Sequence, residues 1–316
     1  MTRELVTVIG GSGFIGRYVV RQLAKQKHRI RVAVRSPNEA LFLKPMGDVG
    51  QIQLLQTNVR NAASVVRAVD GAGAVVNLVG ILQPSGHQDF QSIHVDGAET
   101  VARAAAAAGV RRLVHVSAIG ADRRAESRYA RSKGLGEDAV RAAFPSAAIL
   151  RPGIVFGPED DFFSRFASLA RLSPALPLIG GGRTRFQPVY VCDVAAAIVA
   201  AAASDACAGR TYELGGPRTY TFREILELVL TEIRRDRCLV PVPFGVAKLM
   251  AFFTGILPNA PLTMDQVELL KHDNVVTGAL TLRDLGIEPT PAEAIVAGYL
   301  ARFRRLGEFD KPAEAA

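Results

Sequence analysis

The stretch Val8-Ile9-Gly10-Gly11-Ser12-Gly13-Phe14-Ile15-Gly16 restricts this chain more than any other. Its glycines, spaced G-x-x-G-x-x-G, close a run of strand formers at 5–9 and open an amphipathic stretch at 14–26. Gly10 permits the tight turn, Gly13 lets a backbone approach a pyrophosphate where a Cβ would intrude, and Gly16 lets the helix lie close on the sheet. The helix start, with Phe14, Ile15 and Arg17 in its first turn, offers unpartnered N–H groups and a positive dipole end to phosphates.

Further apolar runs rich in Val, Ile and Leu recur at 30–34, 52–56, 74–79 and 112–117, with helical patterns at 14–26, 61–69, 92–108 and 128–143 between most of them and a last strand at 147–151. This alternation predicts a doubly wound parallel α/β sheet of Rossmann type over 1–151. Gly109 is placed to end the helix that carries the alanine run Ala104–Ala108. From 152 the regularity weakens. Pro and Gly punctuate Gly157-Pro158, Leu176-Pro177, Gly180-Gly-Gly182 and Gly215-Gly-Pro217, with helices expected at 193–203 and 221–234. A smaller mixed C-terminal region, 152–308, interleaved with the first, is the reading, with a disordered tail at 309–316. Asp193 is expected to cap the helix that starts the alanine-rich stretch 195–203.

The three cysteines, Cys192, Cys207 and Cys238, fit no metal or disulfide spacing, so no metal is expected and a reducing compartment suits them. The strand begins so near Met1 that no leader peptide is expected, which points to a cytoplasmic protein. The formal net charge of +8 suits nucleic acid, an anionic membrane surface or an acidic partner. Nucleic acid is not expected, because the arginines are scattered without interleaved aromatics.

After the second strand, where an acidic residue would hold a ribose 2′-hydroxyl, stands Arg35. A guanidinium there pairs with a 2′-phosphate, Arg17 can join it, and NADP(H) is favoured over NAD(H); the alternative is solvated surface arginines. Leu78, Val79 and Gly80, at the end of the fourth strand, let the backbone pass the cofactor. Tyr129 and Lys133 lie one helical turn apart, downstream of Ser117 at a strand end. A lysine cation lowers the phenol's pKa and binds the nicotinamide ribose, the tyrosine moves a proton, and the serine orients the substrate oxygen. Arg183, Arg185 and Gln187 face either a substrate phosphate or solvent.

The glycine motif and the Ser117/Tyr129/Lys133 set resemble an extended or atypical short-chain dehydrogenase/reductase. That resemblance implies an adenine site at Asn58 and Val59, where the family often has an Asp. It also marks His94, where catalytic members commonly carry an Asn, as either a structural helix residue or a substituted proton relay. Within the superfamily, Val76-Asn77-Leu78-Val79-Gly80-Ile81-Leu82, Ser127-Arg128-Tyr129, Gly134-Leu135-Gly136-Glu137, the run from Arg151 to Asp160, and above all 262–276 resemble the 39-kilodalton-type nucleotide-binding accessory subunits of respiratory complex I, the proton-pumping NADH:ubiquinone oxidoreductase. The resemblance implies NADPH held for structure or regulation with little turnover, and vestigial catalysis by Ser117, Tyr129 and Lys133. Docking would be on the peripheral arm, and the location the cytoplasmic face of a bacterial inner membrane. Segment 241–257 is apolar but too short and broken to span a bilayer, so it is read either as an interfacial or partner-binding helix or as an internally packed one. Two other readings remain: a free NADP-dependent reductase or epimerase acting on a small carbonyl or sugar nucleotide, with a pocket lined by 152–260, and a regulator that senses the NADP(H) ratio.

Overall fold

The computed structural model describes residues 4–254, 262–278, 280–305 and 307. The expected tail at 309–316, and residues 255–257 of the apolar segment, lie outside these. The chain divides into two compact units, the first made of Met1–Pro152, Val191–Leu214 and Val276–Glu288, the second of Gly153–Tyr190, Gly215–Val275 and Pro289–Ala316.

The first unit runs β1 (Leu5–Ile9), α1 (Phe14–Lys25), β2 (Arg29–Val34), β3 (Ile52–Gln56), α2 (Ala62–Val69), β4 (Ala74–Asn77), α3 (Asp96–Ala107), β5 (Arg112–Val116), α4 (Arg128–Ala143) and β6 (Ala148–Pro152). The chain later returns to it with α5 (Val191–Ala203) and β7 (Thr211–Leu214). All seven strands are parallel, in the order β3-β2-β1-β4-β5-β6-β7. Val8, Val32, Val75, Val76 and Val114 are buried because a parallel sheet is covered on both faces. Helix α1 packs on α5, while α2, α3 and α4 pack in succession. Alanines at Ala98, Ala102 and Ala105 let α3 lie close to its neighbours. That helix ends as expected: Gly109 is left-handed (φ +66°), with bonds from its N–H to Ala106 and from Val110 N–H to Ala105.

Two local expectations change. Asp193 does not cap α5, which begins at Val191 and holds Asp193 inside its first turn. The helix expected over 92–108 is split, with a π-helical turn at Gln91–Val95 before α3. The wide turn brings the His94 carbonyl onto α4, where a Cβ on Gly136 would lie only 2.1 Å from that oxygen. Packing between two helices therefore overrides the 3.6-residue period.

The second unit is built from two-stranded pieces. Ala175–Ile179 pairs parallel with Cys238–Val242, Val155–Phe156 parallel with Val189–Tyr190, and Arg185–Phe186 antiparallel with Tyr220–Thr221. Helices Phe162–Leu172, Phe222–Glu232, Phe244–Thr254, Met264–Leu269 and Ala292–Leu300 surround a core containing Phe156, Phe163 and Phe222. Thr221 and Glu224 form a capping box that starts Phe222–Glu232. The stretch 262–276 ties this unit together. Asn274 accepts from Ile154 N–H at 3.1 Å, and Asp273 pairs with Arg185 at 2.7 Å, so Arg185 serves an internal ion pair.

Candidate functional site: the nucleotide turn and the Ser-Tyr-Lys cluster

The sheet order reverses between β1 and β4, the position at which open α/β sheets bind ligands beyond their carboxyl ends. Gly10 leaves β1 there with φ +82°, its N–H bonded to Ala33 O at 2.9 Å, while Leu78 N–H bonds Ile9 O at 3.0 Å. A Cβ on Gly16 would stand 2.6 Å from Gly10 O, so the start of α1 is pressed directly onto the turn. Gly13, the N-cap of α1, is exposed and puts no side chain on the helix's N–H groups, and the first turn carries no acidic residue. Phe14 and Ile15 follow in that turn. A phosphate is the complement of this arrangement. Gly11, which sequence reasoning passed over, is as constrained as its neighbours: a Cβ there would be 2.5 Å from Val32 Cγ1.

Around this turn the expected cofactor residues separate. Arg35 is exposed at the end of β2 and donates to Gln88 Oε1 at 2.8 Å. Arg60 donates to His87 O at 2.8 Å, so the Ser85–Gln88 turn receives two guanidiniums. The Arg17 guanidinium lies 5.2 Å from the Phe42 ring centroid. Asn58 accepts from Arg60 N–H at 3.1 Å, which leaves its carbonyl oxygen one further acceptor position. The Val59 side chain is in the core, against Gly97.

Beyond β4 and β5 lies a buried polar cluster. Ser117 is 3% exposed, and its Oγ has no hydrogen-bond partner among the described residues. Lys133, 5% exposed, donates to Val116 O at 3.1 Å, and burial pushes its ammonium down to about 8 despite the opposing pull of Glu137. Glu137 is held by Arg151 through two bonds of 2.9 and 2.7 Å, which raise the Arg151 pKa. A Cβ on Gly80 would fill the space 3.4 Å from Lys133 Nζ. Tyr129, one turn before Lys133 on α4, has its ring edge-to-face with Phe90 and His94 at centroid distances of 6.0 and 5.6 Å.

His94 resolves from its hydrogen bonds. Ser132 Oγ donates its one proton to Tyr129 O at 2.8 Å, so at 2.8 Å from His94 Nδ1 it must accept. His94 Nε2 in turn accepts from Ile81 N–H at 2.9 Å. The ring is therefore the neutral Nδ1–H tautomer with both nitrogens engaged, and burial followed by the positive Lys133 pushes it down to about 3. Both ring nitrogens are engaged, Nε2 by a backbone amide. A second histidine, His115 on β5, is buried with Nδ1 3.2 Å from Asn77 Nδ2. Burial and then the charges of Lys133 and His94 push it to about 3 as well. Sequence reasoning missed this pair, whose only signal was position, at the carboxyl ends of adjacent strands beside the switch point.

Three features here suit a nicotinamide dinucleotide. The exposed Gly13 stands at an uncapped helix start, a buried serine hydroxyl lacks a partner among the described residues, and Gly80 leaves space beside Lys133. These residues suit such a group, and the comparisons agree: a model of the NAD dependent epimerase/dehydratase family matches residues 6–215.

The chain belongs to this family.

It is similar to the NADH dehydrogenase [ubiquinone] 1 alpha subcomplex subunit 9, mitochondrial, of Arabidopsis thaliana, with 37% identity over 96% of this chain and 79% of the relative. The NADH-ubiquinone oxidoreductase 40 kDa subunit, mitochondrial, of Neurospora crassa is 35% identical over 97% of this chain and 81% of the relative. A ceramide reductase of Caulobacter vibrioides is 35% identical over 63% of this chain and 61% of its own. Within the family, the chain thus groups with named complex I subunits along nearly its whole length. The expectation of a protein on the cytoplasmic face of a bacterial membrane does not stand, because the relatives matching nearly the whole chain are mitochondrial. Among the described residues no helix is long and apolar enough to cross a membrane.

Proposed function

We propose that this protein is an NADP(H)-binding accessory subunit of a proton-pumping NADH:ubiquinone oxidoreductase, in which the nucleotide is held with little turnover. The observation that carries the reading is an intact nucleotide turn, Gly10 to Gly16 beneath an uncapped helix start, in a chain whose full-length relatives are named complex I subunits. The choice of NADP(H) rests on Arg35, because a guanidinium after β2 favours a 2′-phosphate over a 2′-hydroxyl, and on Arg17 in the first turn of α1 as a second candidate. Little turnover is supported by His94, whose Nε2 accepts from a backbone amide that passes no proton on.

Contact with the complex or its membrane belongs to the second unit. Helix Phe244–Thr254 turns Ala247 and Ala251 inward and leaves Val246, Leu249, Phe252 and Phe253 exposed, at 49, 59, 63 and 64%. A contiguous apolar face of this kind marks an interaction surface. Ser117 favours a second reading. A buried hydroxyl without a partner, next in the chain to the Val116 carbonyl that Lys133 holds, is what an active reductase needs to orient a substrate oxygen, and one relative is named a reductase. Binding titrations with NADPH and NADH, followed by single-turnover oxidation assays, separate the two. Tight NADPH binding without turnover supports the subunit, and Tyr129-dependent oxidation of NADPH by a carbonyl substrate supports the enzyme.

A further inference from the structure

Arg35 is held by a segment that comes from the other side of the nucleotide turn. The sheet order β3-β2-β1-β4 sets β1 between β2 and β4, with neighbouring strands about 4.8 Å apart. Arg35 follows β2, and its partner Gln88 lies on the chain that leaves β4. The 2.8 Å bond from Arg35 Nη1 to Gln88 Oε1 therefore joins segments on either side of β1 and the Gly10 turn that ends it. Arg60, beyond β3, reaches the same segment one residue earlier, from Nη1 to His87 O at 2.8 Å.

The segment is built to keep its shape. Ser85 N–H bonds Gln88 O at 2.9 Å and Gln88 N–H bonds Ser85 O at 3.0 Å, closing a hairpin with Gly86 and His87 at its tip. Gly86 is left-handed there (φ +55°), a conformation that a side chain would resist. The far end of the hairpin is tied to the π turn, where Asp89 Oδ1 accepts from Ser92 N–H at 2.7 Å. The Arg60 charge also acts on Asp89, whereas Arg35 bonds a neutral amide. An amide oxygen restrains a guanidinium without neutralising it, and uses one of its five N–H donors. A carboxylate in the same place would compete for the charge that a phosphate needs.

We propose that Gln88 is a positioning residue for nucleotide selectivity: the hairpin, steadied by Arg60, holds the Arg35 guanidinium in order for the 2′-phosphate of NADP(H). The inference rests on the NADP(H) reading above. A restrained arginine loses less rotamer freedom when a phosphate binds it, so the bond raises affinity for the phosphorylated nucleotide and leaves NAD(H), which has a hydroxyl in that place, unaffected.

The test titrates NADPH and NADH against the full-length protein by calorimetry and follows thermal unfolding of the nucleotide-free variants. Gln88→Ala is expected to weaken NADPH binding by about three- to tenfold, to change NADH binding by less than about twofold, and to leave Tm unchanged. Gln88→Glu separates positioning from a merely structural hold, because its carboxylate strengthens the bond to Arg35 and so keeps the hairpin. It is expected to weaken NADPH binding at least as much as the alanine does, again with NADH unaffected. Full NADPH affinity in either variant, or equal losses for both nucleotides, overturns the proposal. Failure of the NADP(H) reading looks different. A wild type that binds NADH as tightly as NADPH refutes both, whereas a preference for NADPH that Arg35→Ala removes and both Gln88 variants keep refutes the role of Gln88 alone.

Discussion

In the first unit a cluster of polar groups lies hidden from water, whereas in the second one helix leaves a row of apolar groups in it. Asn77, His94, His115, Ser117 and Lys133 lie buried at the ends of β4 and β5 and on the helices beside them. Val246, Leu249, Phe252 and Phe253 stand exposed on one helix. Either departure costs stability in an isolated chain, and such costs persist where a ligand or partner offsets them. On the function proposed above, ligand binding falls to the first unit and association to the second.

The largest expected effect breaks the first unit at its turn. A valine at Gly16 would drive its Cβ into the Gly10 carbonyl, where backbone cannot give way. Gly16→Val is expected to lose about 3 kcal/mol or more of stability, read from chemical denaturation, along with nucleotide binding. Wild-type stability in that variant would remove the close helix–turn contact from the account.

Lys133→Met acts in the other direction. The buried ammonium is lowered from 10.5 to about 8, so the ligand-free protein carries a cost below pH 8. Between pH 8 and 10.5 the unfolded chain binds a proton that the folded one does not, so wild-type stability rises with pH across that window. Replacement by methionine is expected to stabilise the ligand-free protein by up to about 3 kcal/mol below pH 8, to flatten that rise, and to weaken nucleotide binding. Denaturation at several pH values beside a binding titration checks all three.

Acid acts through the two histidines. Both have folded pKa values near 3 against 6.5 unfolded, so their stabilising contribution is complete above pH 6.5 and falls away as pH drops toward 3. Each costs about 1.4 kcal/mol per pH unit within that window. His115→Gln should halve the histidine part of the slope, and an unchanged slope would show that His115 is charged in the fold.

The smallest effect on stability belongs to the exposed helix. Leu249→Ser/Phe253→Ser is expected to change it by less than about 0.5 kcal/mol while abolishing association with the complex or membrane. A large loss on denaturation would mean that the face is covered within the protein itself, and the contrast between units would fail.

The first unit was legible because its elements obey local rules. Alternating apolar runs, Gly10 at a positive φ and Gly109 after α3 each announce structure within a few residues of themselves. The π turn at Gln91–Val95 was not legible, because the contact it makes is with Gly136, more than 40 residues on. Asn77 and His115 were missed for the same reason: their pairing across β4 and β5 depends on strand order. In the second unit, strands of two residues carry no periodicity, and the inward face of Phe244–Thr254 is marked only by two alanines. The Arg185–Asp273 pair joins segments nearly 90 residues apart, and no spacing rule suggests it.

Native mass spectrometry of the chain, affinity-isolated under mild conditions, tests the central claim most directly, since one spectrum reports bound nucleotide and co-isolated proteins together. The account predicts one NADP(H) per chain within an assembly containing NADH:ubiquinone oxidoreductase subunits. A chain isolated alone, empty or carrying NAD(H), would contradict it.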